Sequence, residues 1–265
     1  MHPIFLQFGS FAIHWYGVCA ATGFLLYFYL LRHLNRVDGQ RRSDSTIANL
    51  VTLLVVGALA GARTAYVLEH WSHYRTDLGS IVKFTEGGLV FYGGLIMDAA
   101  LLTAYALARR ERVLALLDLL VTPMPIAHAL GRIGCFMEGC CHGAVTTSAL
   151  GVTYPPGSHA QVLQAQQGLV RAWERSLPVW PSQLFEAGAE ALIFAVLFLS
   201  FRHRRFTGQQ VALYGLLYAP TRFVLEYFRS DIRMTVGPFT IAQVISLALF
   251  AACAAVAVWK RPRKA

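Results

Sequence analysis

Apolar residues gather into seven long runs along the chain, at about 12–31, 46–68, 89–108, 113–136, 183–201, 211–228 and 239–259. Each run approaches or exceeds the ~17–25 residues that cross a bilayer as a helix. The pattern predicts an all-α integral membrane protein of about seven transmembrane helices, organised as a single polytopic domain over 1–265. One longer polar stretch, 144–182, interrupts the pattern and is expected as an outer-face insertion. Its segment SHAQVLQAQQGLVRAWER has mixed amphipathic character and predicts a small helical cap. Pro123 and Pro125 fall inside the fourth run, where a missing amide donor predicts a kink. The first ten residues, MHPIFLQFGS, carry no basic n-region, and no small-residue cleavage site follows the first run. That run is therefore expected to remain a span rather than act as a cleaved signal.

Composition agrees with a membrane setting, since 56% of residues are hydrophobic and only 14% charged. A soluble chain carries about a quarter charged residues. The net charge of +9 raises the possibility of a nucleic-acid partner, but its placement gives another reason. Most of the 23 basic residues follow alternate runs: Arg32, Arg36, Arg41 and Arg42; Arg109, Arg110 and Arg112; Arg202, Arg204 and Arg205; Lys260, Arg261, Arg263 and Lys264. By the positive-inside rule the N-terminus is outside and the C-terminus cytoplasmic. The charge orients the chain and calls for no nucleic acid.

This orientation gives each polar residue a depth. Arg63, Arg132 and Arg222 lie within spans, toward their outer ends. His14, Tyr16, Tyr92, Glu186 and Glu226 fall near the same level, as do the pairs Gly87-Gly88 and Gly93-Gly94. A single arginine at a span end is as well explained by snorkelling to the headgroups. Three arginines with carboxylates and tyrosines at one depth instead predict a functional site. Arg222 and Glu226 stand four apart and pair along one helix face, with Tyr218 a turn before. Guanidinium groups suit phosphate, and a phospholipid headgroup is the anion found at that depth.

Asp98, Asp118 and Glu190 lie deeper, where interhelical polar contacts account for them as well as catalysis does. His128, a turn before Arg132, is equally well read as a hydrogen-bonded helix histidine or as a functional one. Five cysteines are present; Cys19 and Cys253 read as packed apolar residues. Cys135, Cys140, Cys141 and His142 lack a standard zinc spacing, so no metal is expected. A Cys135–Cys140 or Cys135–Cys141 disulfide is the preferred reading for the loop.

Six short blocks, in order along nearly the whole chain, resemble the prolipoprotein diacylglyceryl transferase family of bacterial inner membranes. They are IHWYG at 13–17, GARTAYV at 61–67, EGGLVFYGGLI at 86–96, HALGRIGCF at 128–136, WPSQLFE at 180–186 and YAPTRFVLEYFR at 218–229. The resemblance implies transfer of diacylglyceryl from phosphatidylglycerol to the lipobox cysteine of preprolipoproteins, releasing glycerol 1-phosphate without a cofactor. It makes Arg132, Arg222, Tyr92, Glu226 and His14 the expected catalytic residues. Arg63, Tyr16, Tyr218, Gly93, Gly94 and Glu186 join Arg132 and Arg222 as expected phosphatidylglycerol-binding residues. Two positions depart from the family pattern: Tyr92 stands for a histidine, and Cys135 for an asparagine. A tyrosine is a weaker general base than a histidine near neutral pH. The departures keep open a relative that serves another acceptor; a non-catalytic phospholipid or anion carrier is the alternative of a different class.

Overall fold

A computed structural model describes residues 3–9, 11–39, 42–83, 88–229 and 235–259. Gly87 and Glu86 of the third sequence block, and the basic residues Arg41, Arg233 and 260–264, lie outside the described residues. Among the described residues the fold is all-α apart from two short antiparallel hairpins and isolated bridges. The first hairpin pairs β1 (Ile4–Phe8) with β2 (Phe11–His14), and the second pairs β3 (Thr235–Val236) with β4 (Phe239–Thr240).

Among the described residues, four helices are long and apolar enough to cross a membrane. They are α1 (Trp15–Val37), α2 (Asp44–Glu69), α8 (Ser182–Ser200, continued by a 3₁₀ turn to His203) and α10 (Ile241–Trp259). A fifth crossing arises if α5 (Val113–Val121) and α6 (Met124–Glu138) count as one span bent by 42°. The break falls at Thr122 and Pro123, where the sequence predicts a kink. The third and sixth expected runs form shorter helices, α4 (Phe91–Ala108) and α9 (Gln209–Leu225). Large apolar side chains such as Leu25, Leu192, Leu199 and Val258 are exposed. Exposure of this kind on helices so uniformly apolar suits hydrocarbon rather than water.

The chain divides into two compact units. One comprises residues 32–116 and is built on α2 and α4. Ser43 caps α2, its hydroxyl accepting from the Thr46 amide, and Asp44 complements the dipole in the first turn. The two helix backbones meet at glycines. A Cβ on Gly61 would strike the Gly93 carbonyl, one on Gly93 would strike the Gly61 carbonyl, and one on Gly94 would lie 2.8 Å from the Ala58 oxygen. The small-residue contact allows the close approach typical of membrane helix pairs.

The other unit comprises residues 1–31 and 117–265. Here α6 packs on α8, α8 on α9, and α9 on α10. Gly23 of α1 sits against α6, where a Cβ would lie 3.1 Å from the Ala127 carbonyl. Asp118 of α5 caps α9 from outside that helix: its carboxylate accepts from the amides of Gly208 (2.7 Å), Gln210 (2.9 Å) and Val211 (3.1 Å). The interhelical contact expected of Asp118 is thus a cap, satisfying amides that the helix itself leaves without acceptors.

The 144–182 segment contains one helix, α7 (His159–Gln166), capped by Ser158. A small core of Tyr154, Ala160 and Val179 packs against Phe136 of α6. Isolated bridges join Val145 and Val152 to Val179, and Gly143 to Arg229.

Candidate active site

Helix α6 presents His128 and Arg132 one turn apart, and α8 presents Glu186 and Glu190 with the same spacing. Residues four apart share a helix face, so two packed helices bring these pairs together. His128 Nδ1 lies 2.8 Å from Glu190 Oε1, and Arg132 Nε donates to His128 Nε2 at 3.2 Å. Because Nε2 accepts, the imidazole proton sits on Nδ1 and is donated to Glu190. Arg132 Nη2 lies 3.0 Å from Glu186 Oε1. That contact has ion-pair distance without hydrogen-bond alignment, since Glu186 Oε1 has no hydrogen-bond partner among the described residues. Both carboxylates are buried, Glu190 completely.

Helix α9 adds the second guanidinium. Arg222 Nη1 donates to Glu226 Oε2 at 2.6 Å, the pairing expected from their spacing, and Glu226 is buried. Tyr218, a turn earlier, places its ring 6.4 Å from that of His128 and stacks on Tyr214 at 5.3 Å. It lies within electrostatic reach of Glu186, Glu190, Arg132 and Arg222. The structure therefore brings together Arg132, Arg222, Glu226, Glu186 and Tyr218 of the expected set, and adds His128, Glu190 and Tyr214. Among the described residues, no partner takes the Nη1 donors of Arg132 or the Nε and Nη2 donors of Arg222.

His14 and Tyr16 belong to the same unit. His14 ends β2 and places Nδ1 3.0 Å from Glu138 Oε1, at the last turn of α6. Its partner is therefore Glu138, a pairing across 124 positions that the sequence does not reveal. Tyr16 is exposed and packs beside Gly134, where an added Cβ would lie 3.2 Å from the Tyr16 Cα.

The remaining expected residues belong to the other unit. Arg63 is 3% exposed. Its guanidinium donates to the carbonyls of Ser80 (2.7 Å), Ile81 (2.8 Å), Lys83 (3.0 Å) and Gly88 (3.2 Å), and lies over the rings of Tyr66 and Tyr74. The geometry is that of a loop organiser: the side chain holds residues 80–83 and Gly88 against α2. Tyr92 is exposed at the start of α4. Gly93 and Gly94, expected to bind lipid, serve in the structure to let α4 approach α2.

Past α6 the chain turns at Gly139, whose φ of 75° is left-handed. Its amide and that of Cys140 both reach the Cys135 carbonyl, at 2.9 and 3.2 Å. This C-terminal motif sets the side chain of Cys140 against that of Cys135. Gln183 donates to the Cys140 carbonyl at 2.7 Å and Ser182 to the Cys141 carbonyl at 3.1 Å, so the start of α8 holds the turn. The thiols of Cys135, Cys140 and Cys141 are free and lie within 4.8 Å of one another, where the sequence favoured a disulfide. The Cys141 thiol is held well below its ordinary pKa. The Cys135 and Cys140 thiols hydrogen-bond to its sulfur, and Arg132 and Arg229 favour the thiolate. Hydrogen bonding within the cluster, and then burial, push the Cys140 thiol far up, and its Sγ donates to the Cys135 carbonyl at 3.7 Å. Burial pushes the nearby Tyr154 phenol up to about 12.

The signal for His128 and Glu190 was present in the sequence as two four-residue spacings, HALGR and EAGAE. Neither one reveals that the two faces meet.

Residues 3–259 match the family model described as prolipoprotein diacylglyceryl transferase. The chain is 31% identical to the phosphatidylglycerol–prolipoprotein diacylglyceryl transferase of Listeria innocua over 264 residues, covering 98% of this chain and 90% of the relative. The Listeria monocytogenes protein of the same name is 30% identical, with the same coverage. The Clostridium perfringens phosphatidylglycerol–prolipoprotein diacylglyceryl transferase 2 is 28% identical over 89% of this chain and 86% of its own length.

Proposed function

The chain belongs to the prolipoprotein diacylglyceryl transferase family, and from that premise we propose that it transfers diacylglyceryl from phosphatidylglycerol to the lipobox cysteine thiol of preprolipoproteins. The thiolate sulfur attacks the glyceryl carbon that bears the phosphate ester. A carbon–sulfur bond forms, the carbon–oxygen bond breaks, and the electron pair leaves on glycerol 1-phosphate. The thiol proton passes to a base.

One observation carries the reading: Arg132 and Arg222 are each tethered to a buried carboxylate while keeping guanidinium donors that no partner takes among the described residues. Tethering holds the groups in place before substrate arrives, and the remaining donors suit phosphate oxygens. In this reading the two arginines bind the phosphate and stabilise the charge that grows on it as the bond breaks. His128 orients Arg132, and Glu190 sets the tautomer of His128. Tyr218 and Glu186 line the phosphate site.

His14, exposed and backed by Glu138, is assigned as the base that takes the thiol proton. A carboxylate behind an imidazole orients it and stabilises its protonated form. Tyr16 and Tyr92 are assigned to substrate positioning, and Arg63 to support through the carbonyls of residues 80–83 and Gly88. Gly93 and Gly94 contribute by letting α4 pack. The protein is placed in a bacterial inner membrane with seven spans, α4 and α9 among them. Its N-terminus is outside, its C-terminus is cytoplasmic, and 144–182 forms an outer cap. Alternation of basic segments supports this orientation.

The test is the purified protein with phosphatidylglycerol and a lipobox peptide. Mass spectrometry should show the diacylglyceryl adduct, with release of glycerol phosphate, and Arg132→Ala should lower the rate by about 10²-fold or more. Absence of product, or equal rates for wild type and Arg132→Ala, rejects the reading. A second reading, transfer to another acceptor, is favoured by Tyr92 standing where the family has histidine. It predicts glycerol phosphate release with a different thiol or alcohol and none with the lipobox peptide.

A further inference from the structure

The turn after α6 gathers soft donors that the transfer chemistry does not use. Cys135 ends the helix, and the left-handed Gly139 folds the chain back so that Cys140 meets it. Cys141 then completes the group with a left-handed φ of 55°, a conformation that costs a non-glycine residue about 1–2 kcal/mol. Gln183 and Ser182 fix the carbonyls of Cys140 and Cys141, so the backbone carrying these sulfurs is held from α8. The three sulfur atoms lie within 4.8 Å of one another.

We propose that Cys135, Cys140 and Cys141 form a three-thiolate site for a soft closed-shell metal ion, Cu(I) or Zn(II). Metal–sulfur bonds of about 2.3 Å place the sulfurs of one coordination shell about 4 Å apart, which small side-chain rotations of this cluster reach. Thiolate donors select this class of ion over hard cations. A disulfide is a poorer account of the cluster. It joins only two of the three sulfurs, and the adjacent Cys140–Cys141 pair has Cα atoms about 3.8 Å apart, closer than disulfides usually span. A bound three-thiolate complex retains net negative charge, which Arg132 and Arg229 are placed to stabilise. A cleft of ≈ 500 Å³, lined in part by Cys140, Cys141, His142 and His159, gives the ion access. Trigonal Cu(I) is complete with three sulfurs, whereas Zn(II) takes a water from the cleft as its fourth ligand.

The experiment uses the full-length protein in detergent, purified reduced and stripped with chelator. It is titrated separately with Cu(I) and Zn(II) in competition with a chromophoric chelator. One equivalent of one ion should bind, and Cys135→Ser, Cys140→Ser and Cys141→Ser should each weaken binding at least tenfold. Cys19→Ala, outside the cluster, should leave binding unchanged. X-ray absorption of the loaded wild type keeps the test independent of variant folding: it should show three sulfur scatterers at about 2.3 Å. A nitrogen and oxygen shell, binding unaltered in all three serine variants, or a Cys135 disulfide forming in place of metal uptake would each overturn the site. The readout is metal binding, so the result stands apart from whether the protein transfers lipid.

Discussion

Arg132 Nε donates to His128 Nε2 at 3.2 Å, one turn earlier on the same helix, and the histidine passes its own proton toward the fully buried Glu190. A guanidinium is thereby aimed by a side chain that need not touch the substrate. Changing His128 to alanine leaves the backbone of α6 intact but frees Arg132 and strands Glu190 without its donor. The expected losses are about 10²-fold in kcat/KM and about 3 kcal/mol in stability. The double variant His128→Ala with Glu190→Gln should regain much of that stability, because the buried charge is gone, but not the activity. Thermal unfolding in detergent and steady-state kinetics on both variants check this; equal stability of single and double variants would refute the coupling.

Arg63 makes the opposite case, a buried arginine whose donors go to backbone carbonyls. Arg63→Lys keeps the charge but cannot span the four carbonyls of Ser80, Ile81, Lys83 and Gly88. The variant should be less stable by about 2–3 kcal/mol, from carbonyls left unsatisfied, and more open to proteolysis near residues 80–83. Its KM for phosphatidylglycerol, measured on folded protein, should stay within about twofold, a shift well under 1 kcal/mol. A large rise in KM at unchanged stability would show that Arg63 touches phosphate directly.

Packing of α2 on α4 depends on the absence of side chains at Gly61 and Gly93. Gly93→Ala forces a methyl against the Gly61 backbone and the Ala65 side chain, and should cost about 1–3 kcal/mol. Gly188→Ala, in α8 with nothing within 4 Å of the added carbon, should be neutral or gain up to about 1 kcal/mol. Melting temperatures that move together in the two variants would contradict the packing account.

Asp77 organises the turn that offers its carbonyls to Arg63. Its carboxyl lies below the ordinary aspartate range, chiefly through the hydrogen bond from the Ser80 hydroxyl, with Lys83 and the Gly79 amide adding to it. A depressed folded value means that the contribution to stability is present above the unfolded pKa and is lost as pH falls through the folded one. The carboxyl carbon of Asp77, followed by NMR, should therefore titrate below about 3.9. Ser80→Ala should raise that midpoint; an unchanged midpoint would show that the hydroxyl is not the cause.

Legibility in the sequence followed the range of the interaction. The Arg222–Glu226 pair and the break at Pro123 were both readable, because each depends on residues within about a turn of one another. The contacts of His128 with Glu190, separated by 62 positions, and of His14 with Glu138, separated by 124, were not. A spacing of four tells which residues share a face, but not which helix that face will meet.

The sequence by itself determined that the chain is a membrane protein of apolar helices, and its ordered motifs pointed to a family. Hydrophobic length and local spacing suffice for that, since each helix must satisfy its own backbone in lipid. Only the tertiary structure separated the three arginines. It set Arg132 and Arg222 against buried carboxylates with donors that none of the described residues takes, and it placed Arg63 on backbone carbonyls. The three look alike along the chain because each is a guanidinium near the end of an apolar run. They differ because the role of a buried charge is set by the partners that packing brings to it.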